Sequence, residues 1–336
     1  MFGTTRRRAV LALACALGVA ALTAAKVAAP AHATYDGRNG RIVFGANTGS
    51  GFQLYTIRPN GRGLRQITQV AGDALNPDWS PDGRSIVFEL ATEEGASIAL
   101  IDRDGGGLTN LTPEPVCCQG QPSFAPDGRH IYFERTDIVT GDDAVWRMNV
   151  DGRDQRRIVG PWSPGFATDP NVSPDGRTLS IVGFNGLIGP PPAFEPAQGL
   201  FTTRIDGTGL AQLLPFDVDL ANKSDWAPDG RHLVVTTNAN FFHEGESANI
   251  ATIRPDGTGL RYLTHFTGGQ VNAFAGSYSP DGKWIVFRFE DHGLHGLYKM
   301  TPDGTHIREL LPLSTFRPRF IDWGPSPTGH DDEDEE

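Results

Sequence analysis

One repeated motif constrains this chain more than any other feature. Asp78-Trp79-Ser80-Pro81-Asp82-Gly83-Arg84 is followed by Ser123-Phe124-Ala125-Pro126-Asp127-Gly128-Arg129, Asn171-Val172-Ser173-Pro174-Asp175-Gly176-Arg177, Asp225-Trp226-Ala227-Pro228-Asp229-Gly230-Arg231 and Ser277-Tyr278-Ser279-Pro280-Asp281-Gly282-Lys283. From Gly83 to Gly282 the successive glycines stand 45, 48, 54 and 52 residues apart. A second signature alternates with the first, an apolar stretch ending in Asp-Gly or Asn-Gly at Gly61, Gly105, Gly152, Gly207, Gly257 and Gly304. Self-similarity at this period is a mark of repeat architectures.

Each signature has a mechanical reading. Proline fixes φ near −65° at the second position of a turn, aspartate bonds the backbone ahead of it, and glycine accepts the positive φ that closes a hairpin. Around the turns run alternating segments such as Ser85-Ile86-Val87-Phe88 and Leu54-Tyr55-Thr56-Ile57, rich in β-branched and aromatic residues. One period therefore holds four strands: an inner strand A ending at Pro-Asp-Gly, strand B, strand C ending at Asp-Gly, and an outer strand D such as 64–68. That is a propeller blade. With 41 Gly and 25 Pro among 336 residues, a helical bundle is ruled out.

The chain ends predict how the ring closes. Ile321-Asp322-Trp323-Gly324-Pro325-Ser326 reads as a sixth strand A with a degraded turn, and Gly40-Arg41-Ile42-Val43-Phe44 as a strand B without its own strand A. Together they complete one blade, so no sheet edge stays open. The expectation is an all-β, six-bladed propeller of four-stranded blades over 40–324, closed by the C-terminal strand joining the N-terminal blade.

These repeats resemble the TolB-like six-bladed propeller family, a relative of the WD repeat, over residues 40–324. The resemblance does not extend to an N-terminal α/β domain of the kind TolB carries, since only a short lead, 34–39, separates the first strand from the leader. It implies an exported, non-catalytic propeller that binds other molecules.

Residues 1–33 read as an export signal: Arg6, Arg7 and Arg8 form a basic start, 9–23 an apolar run, and Ala31-His32-Ala33 a small-x-small cleavage pattern. Thr5-Arg6-Arg7-Arg8-Ala9-Val10 also resembles a twin-arginine signal. The apolar run is short of the ~20 residues of a spanning helix, so no membrane span is expected after cleavage. The protein is accordingly placed outside the cytoplasm, secreted or in the periplasm and cell envelope, as a monomer. Cleavage removes Arg6, Arg7, Arg8 and Lys26 from the 29 basic residues, leaving 25 against 40 acidic, a net charge of −15. Nucleic acid is excluded as a partner on that balance. Residues 325–336, with the run Asp331-Asp332-Glu333-Asp334-Glu335-Glu336, form an acidic tail expected to stay disordered.

The A–B and C–D turns are short and uniform, so variation falls on the opposite face, where the B–C and D–A connections lie. The loop 185–198 in blade 4 presents Leu187, Ile188 and Phe194, and 238–246 in blade 5 presents Phe241 and Phe242, an apolar patch for a protein or peptide partner. Folding back as a lid is the alternative. Cys117 and Cys118, in a D–A connection of the same face, are the cysteines that survive cleavage. They are left as free thiols, bonded elsewhere, or joined in a vicinal disulfide.

His243, His265, His292 and His295 fall on this face as well. Some propeller polysaccharide lyases hold a divalent metal with channel-mouth histidines, which defines a second reading, a metal-assisted carbohydrate-active enzyme. No other cofactor is called for. The sequence has no Gly-x-Ser-x-Gly elbow, His-Glu-x-x-His pair or Gly-x-x-x-x-Gly-Lys loop. Prolyl-oligopeptidase-type peptidases follow a similar propeller with a hydrolase domain, which is not expected here.

Overall fold

The computed structural model describes residues 37–327 except 48, 50, 114–117, 138, 163–166, 185–197, 219, 222 and 239–244. They form six four-stranded antiparallel sheets. Blade 1 contains β1 (Asn39–Asn47), β2 (Phe52–Ile57) and β3 (Arg65–Gln66). Blade 2 is β4 (Asp73–Trp79), β5 (Ser85–Thr92), β6 (Gly95–Asp102) and β7 (Thr109–Asn110), and blade 3 is β8 (Gln119–Phe124), β9 (His130–Thr136), β10 (Asp143–Asn149) and β11 (Arg156–Trp162). Blade 4 is β12 (Ala167–Val172), β13 (Thr178–Phe184), β14 (Gln198–Arg204) and β15 (Ala211–Leu214); blade 5 is β16 (Ser224–Trp226), β17 (Leu233–Thr237), β18 (Asn249–Ile253) and β19 (Arg261–Tyr262). Blade 6 is β20 (Val271–Tyr278), β21 (Ile285–Asp291), β22 (Leu294–Met300) and β23 (Arg308–Ser314). The last strand, β24 (Arg319–Pro325), returns to blade 1, where Trp323 faces Ile42 and Asp322 faces Val43 in antiparallel register. The ring closes as the chain ends predict. Among the described residues, helix is limited to one 3₁₀ turn, Phe216–Val218.

The turns work as their composition implies. In the first copy Gly83 N donates to Ser80 O at 2.9 Å, Ser80 Oγ donates to Asp82 Oδ1 at 2.7 Å, and Ser85 N donates back to Ser80 Oγ at 2.9 Å. The C–D glycines do more than turn the chain. Gly61 has φ +83, and a Cβ there would lie 2.7 Å from the Leu310 carbonyl oxygen of blade 6. Gly105, Gly152, Gly207 and Gly304 stand likewise against a carbonyl at the outer edge of the preceding blade, and Gly257 less tightly, its Cβ position 3.3 Å from Leu213 O. The repeat thus encodes both the turn and the close fit between blades.

Apolar clusters lie between consecutive blades. Trp79, Ile86 and Phe88 of blade 2 pack on Val43 and Leu54 of blade 1, and Ile42, Phe44 and Trp323 pack on Val286 and Leu297 of blade 6. The outer strands β3, β7 and β19 are two residues each, shorter than the expected 64–68, and exposed. At that radius they have no outer neighbour to bury a face against, and short edges resist strand addition.

Candidate functional site at the channel mouth

The inner strands β24, β4, β8, β12, β16 and β20 pack successively around a central channel. The first residue of each motif copy occupies the same place in the ring: Asp322, Asp78, Ser123, Asn171, Asp225 and Ser277. Five of them accept from, or donate to, the next blade. Asp322 Oδ2 accepts from Trp79 N at 2.9 Å, Asp78 Oδ2 from Phe124 N at 2.8 Å, and Asp225 Oδ2 from Tyr278 N at 2.8 Å. Asn171 Nδ2 donates to Ser224 O at 3.2 Å. Ser277 Oγ accepts from Trp323 N at 3.2 Å, which links blade 6 to blade 1. Ser123 Oγ donates instead to Phe124 O at 3.5 Å, and Thr168 Oγ1 joins blade 4 to Glu134 Oε2 of blade 3 at 2.5 Å. Six interfaces are therefore each tied by a polar bond beside the channel.

Just before these positions the inner strands bulge. Asn76, Gln121, Asp169 and Phe320 hold φ between 47° and 54°, each three residues before the Trp79, Phe124, Val172 or Trp323 of its blade. The ladder registers shift at the same points. A bulge re-aims side chains, and a left-handed non-glycine residue costs of order 1 kcal/mol, so four in one register are an unusual concentration at the channel. Lys223 stands at the matching place in blade 5.

The mouth on the B–C and D–A side is electrically polarised. Toward blades 2 and 3 lie Glu89, Glu134 and Asp143. Burial, then Asp143, pushes Glu134 up to about 8; burial pushes Asp143 up to about 6 and raises Glu89. At the centre, burial followed by Asp322 pushes Asp225 up to about 7 and holds Asp78 well above the usual carboxylate range, and burial raises Asp169. Burial opposes the charge on Lys223, but Asp322, Asp169, Asp78 and Asp225 together outweigh it and raise its pKa. One ammonium cannot offset four enclosed carboxylates, so Asp78, Asp169 and Asp225 hold their protons more tightly than usual. Asp78 and Asp225 are half-buried.

Three blades from the acidic side, the mouth is basic. Arg288 is 5% exposed, its guanidinium carbon lies 3.8 Å from the Phe274 ring centre, and burial followed by Arg317 and Arg319 pushes it down to about 9. Its anion is Glu290 Oε2, 3.8 Å from its NH2. The same oxygen lies 3.9 Å from Arg317 and 3.2 Å from His295 Nδ1, so one carboxylate serves three cationic or titratable groups.

The structure places the residues singled out from sequence unevenly. Cys117, Leu187, Ile188, Phe194, Phe241, Phe242 and His243 lie outside the described residues, as do 1–36 and 328–336. Cys118, φ +70, is disulfide-bonded, and its partner is outside the described residues. His265 is exposed beside Tyr262, His292 is exposed with Nδ1 2.5 Å from Asp291 Oδ1, and His295 is buried against Glu290. These three do not converge, and no group of three or more His, Cys, Asp or Glu among the described residues is arranged for a metal. Burial is the main cause that lowers the pKa of His295, and the arginines around it add to that.

Sequence reading missed Lys223, Arg288, Arg319 and Glu290. The signal was present in Ile285-Val286-Phe287-Arg288-Phe289-Glu290, where charges interrupt an aromatic strand of the repeat.

Residues 53–186 match the model of the TolB beta propeller domain. An uncharacterized protein of Agrobacterium fabrum is 31% identical over 164 residues, covering 45% of this chain and 50% of the relative. The protein TolB homolog of Chlorobium luteolum is 28% identical over 65% of this chain and 47% of its own length. The chain spans half or less of these curated relatives. The crystal structure of TolB from Acinetobacter baumannii superposes with a TM-score of 0.69 at 19% identity, covering 85% of this chain and 67% of that one. At that identity the likeness is one of fold.

Proposed function

Because the chain is a TolB-like six-bladed β-propeller, we propose that it is an exported, non-catalytic scaffold that binds a protein or peptide partner, as a monomer, through its B–C and D–A face. The observation that carries this reading is the polarised channel mouth, where β5, β9 and β10 present acids on one side and β21 and β24 present Arg288 and Arg319 on the other. Such a surface suits polypeptide, which offers both charges and apolar groups at short spacing. Relatives named as TolB and Tol-Pal system proteins support it, as does the leader-like sequence of 1–33. No helix among the described residues is long and apolar enough to cross a membrane. Phe241 and Phe242, with Cys118 on the same face, extend the proposed surface across blades 3 to 5.

The metal-assisted lyase reading is less well supported. His295 faces three arginines, which repel a dication, and His292 and His265 point to other neighbours.

A photoreactive residue placed at Phe320, in the mouth, and in a second variant at Arg84, on the A–B turn face, tests the proposal in the native envelope or culture fluid. Polypeptide adducts are expected from position 320 and not from 84. Equal labelling, or none from either, refutes a mouth-side partner. Replacing Phe241 and Phe242 with Ser is expected to lower capture with little change in melting temperature.

A further inference from the structure

Between blades 5, 6 and 1 the mouth contains a cavity of about 250 Å³. At about 30 Å³ per water, that is room for roughly eight waters, or one amino-acid residue. Its walls carry Lys223, Arg288 and Arg319 and no carboxylate, in a chain with 40 acidic against 29 basic residues. Lys223 is already engaged by the channel aspartates, so the uncompensated charge belongs to the arginines. Arg288 Nε is buried without a hydrogen-bond partner, and the 3.8 Å approach of its NH2 to Glu290 is an ion pair beyond hydrogen-bond range. Apart from Gln198 and Thr236 the rest of the lining is apolar and lies directly against the charges. The Arg288 guanidinium is 3.8 Å from the centre of the Phe274 ring, the Arg319 guanidinium is 5.7 Å from that of Phe320, and Ile321 completes the wall.

We propose that this cavity is a carboxylate subsite that seats the C-terminal carboxylate and the apolar last side chain of a peptide. The proposal rests on the scaffold reading for its partner class. A guanidinium presents a planar fork that matches a carboxylate in two parallel bonds, and Arg288 is held in place by its aromatic neighbour. The mutual repulsion of Arg288, Arg317 and Arg319 is relieved when an anion enters. The apolar wall selects the kind of carboxylate. At a C-terminus the carboxylate and the side chain share one Cα, so charge and hydrocarbon lie a few ångströms apart, as the arginines and rings do here. An Asp or Glu side chain would instead bring backbone amides from both sides of its Cα against Phe274, Phe320 and Ile321, more polar groups than Gln198 and Thr236 can serve.

Calorimetric titration of the purified full chain tests this with acetyl-Ala-Leu as the free acid, the same dipeptide as its C-terminal amide, acetyl-Ala-Asp-Ala amide, and inorganic phosphate. The free acid is expected to bind at least about tenfold tighter than each of the other three, the factor of a lost charge-assisted bond. Arg288→Met and Arg319→Gln are each expected to weaken the acid about tenfold with the melting temperature preserved. The acid–amide comparison on the unaltered protein stands even where Arg288→Met fails to fold. Equal binding of acid and amide, or equal binding of the Asp peptide or of phosphate, overturns the proposal. If the free acid does not bind while position 320 still cross-links polypeptide, the subsite is wrong and the scaffold reading survives. If the free acid binds but cross-linking fails, the subsite stands and the polypeptide scaffold falls.

Discussion

Replacing Asp225 with Asn isolates the electrostatic strain stored in the ring of inner strands. The substitution keeps an oxygen to accept from Tyr278 N, a bond of 2.8 Å, and removes the charge. In the folded protein burial and Asp322 push this carboxyl up to about 7, against 3.8 ordinarily. Between those values the folded state holds a proton that the unfolded chain releases. The stability linked to it is complete below about pH 4 and disappears as pH rises through about 7. Three units at about 1.36 kcal/mol each give about 4 kcal/mol as an upper bound. Asp225 is half-buried, and Lys223 and Asp322 act on its charge, so about 2 kcal/mol is the expected effect. Urea unfolding at pH 5, 6.5 and 8 measures it. The unaltered protein should lose stability across this range, and Asp225→Asn should lose about 2 kcal/mol less. The variant is then already the more stable at pH 5, since part of the linked stability is lost between about pH 4 and 5, and it exceeds the parent further at pH 8. Some slope persists, because Glu134 at about 8 and Asp143 at about 6 titrate in the same direction. A variant with the parent's slope, or one less stable than the parent at pH 8, would refute the reasoning.

Further outcomes follow from the turns and the closure. Gly61→Ala forces a side chain into φ +83 and against Leu310 O, at a combined cost of about 2–5 kcal/mol in chemical denaturation, whereas Gly141→Ala, at φ +72 with open space around it, should cost only about 1 kcal/mol. Ser80→Ala removes the hydroxyl that accepts from Ser85 N and should cost about 1 kcal/mol by the same assay, a modest loss since Ala125 and Ala227 occupy the equivalent place in blades 3 and 5. Truncation before Phe320 removes nearly all of β24, leaves β1 as an open edge, and is expected to abolish cooperative thermal unfolding; a cooperative transition at the parent's midpoint would contradict closure by that strand.

The sequence by itself determined the architecture. Pro-Asp-Gly and Asp-Gly turns are local devices, set by φ preferences and by an aspartate bonding its own backbone, so their spacing is legible without knowing what packs where. The same is true of the closure, since a strand B without a strand A at one end and a strand A without a strand B at the other have one economical pairing. The site was not legible in that way. Asp78, Asp225 and Asp322 read as members of a turn motif, and their role as inter-blade acceptors appears only when residues about 50 to 240 positions apart are brought around one axis. Lys223, Arg288 and Arg319 come from three blades, with nothing in their local sequence to join them. His292 and His295 show the converse: they are three positions apart, yet β22 begins between them, leaving His292 exposed and His295 buried beside Arg288 and Arg317. Turns are decided by neighbours in the chain; charge, burial and the mouth of a channel are decided by neighbours in space, and in a closed ring those neighbours come from every blade.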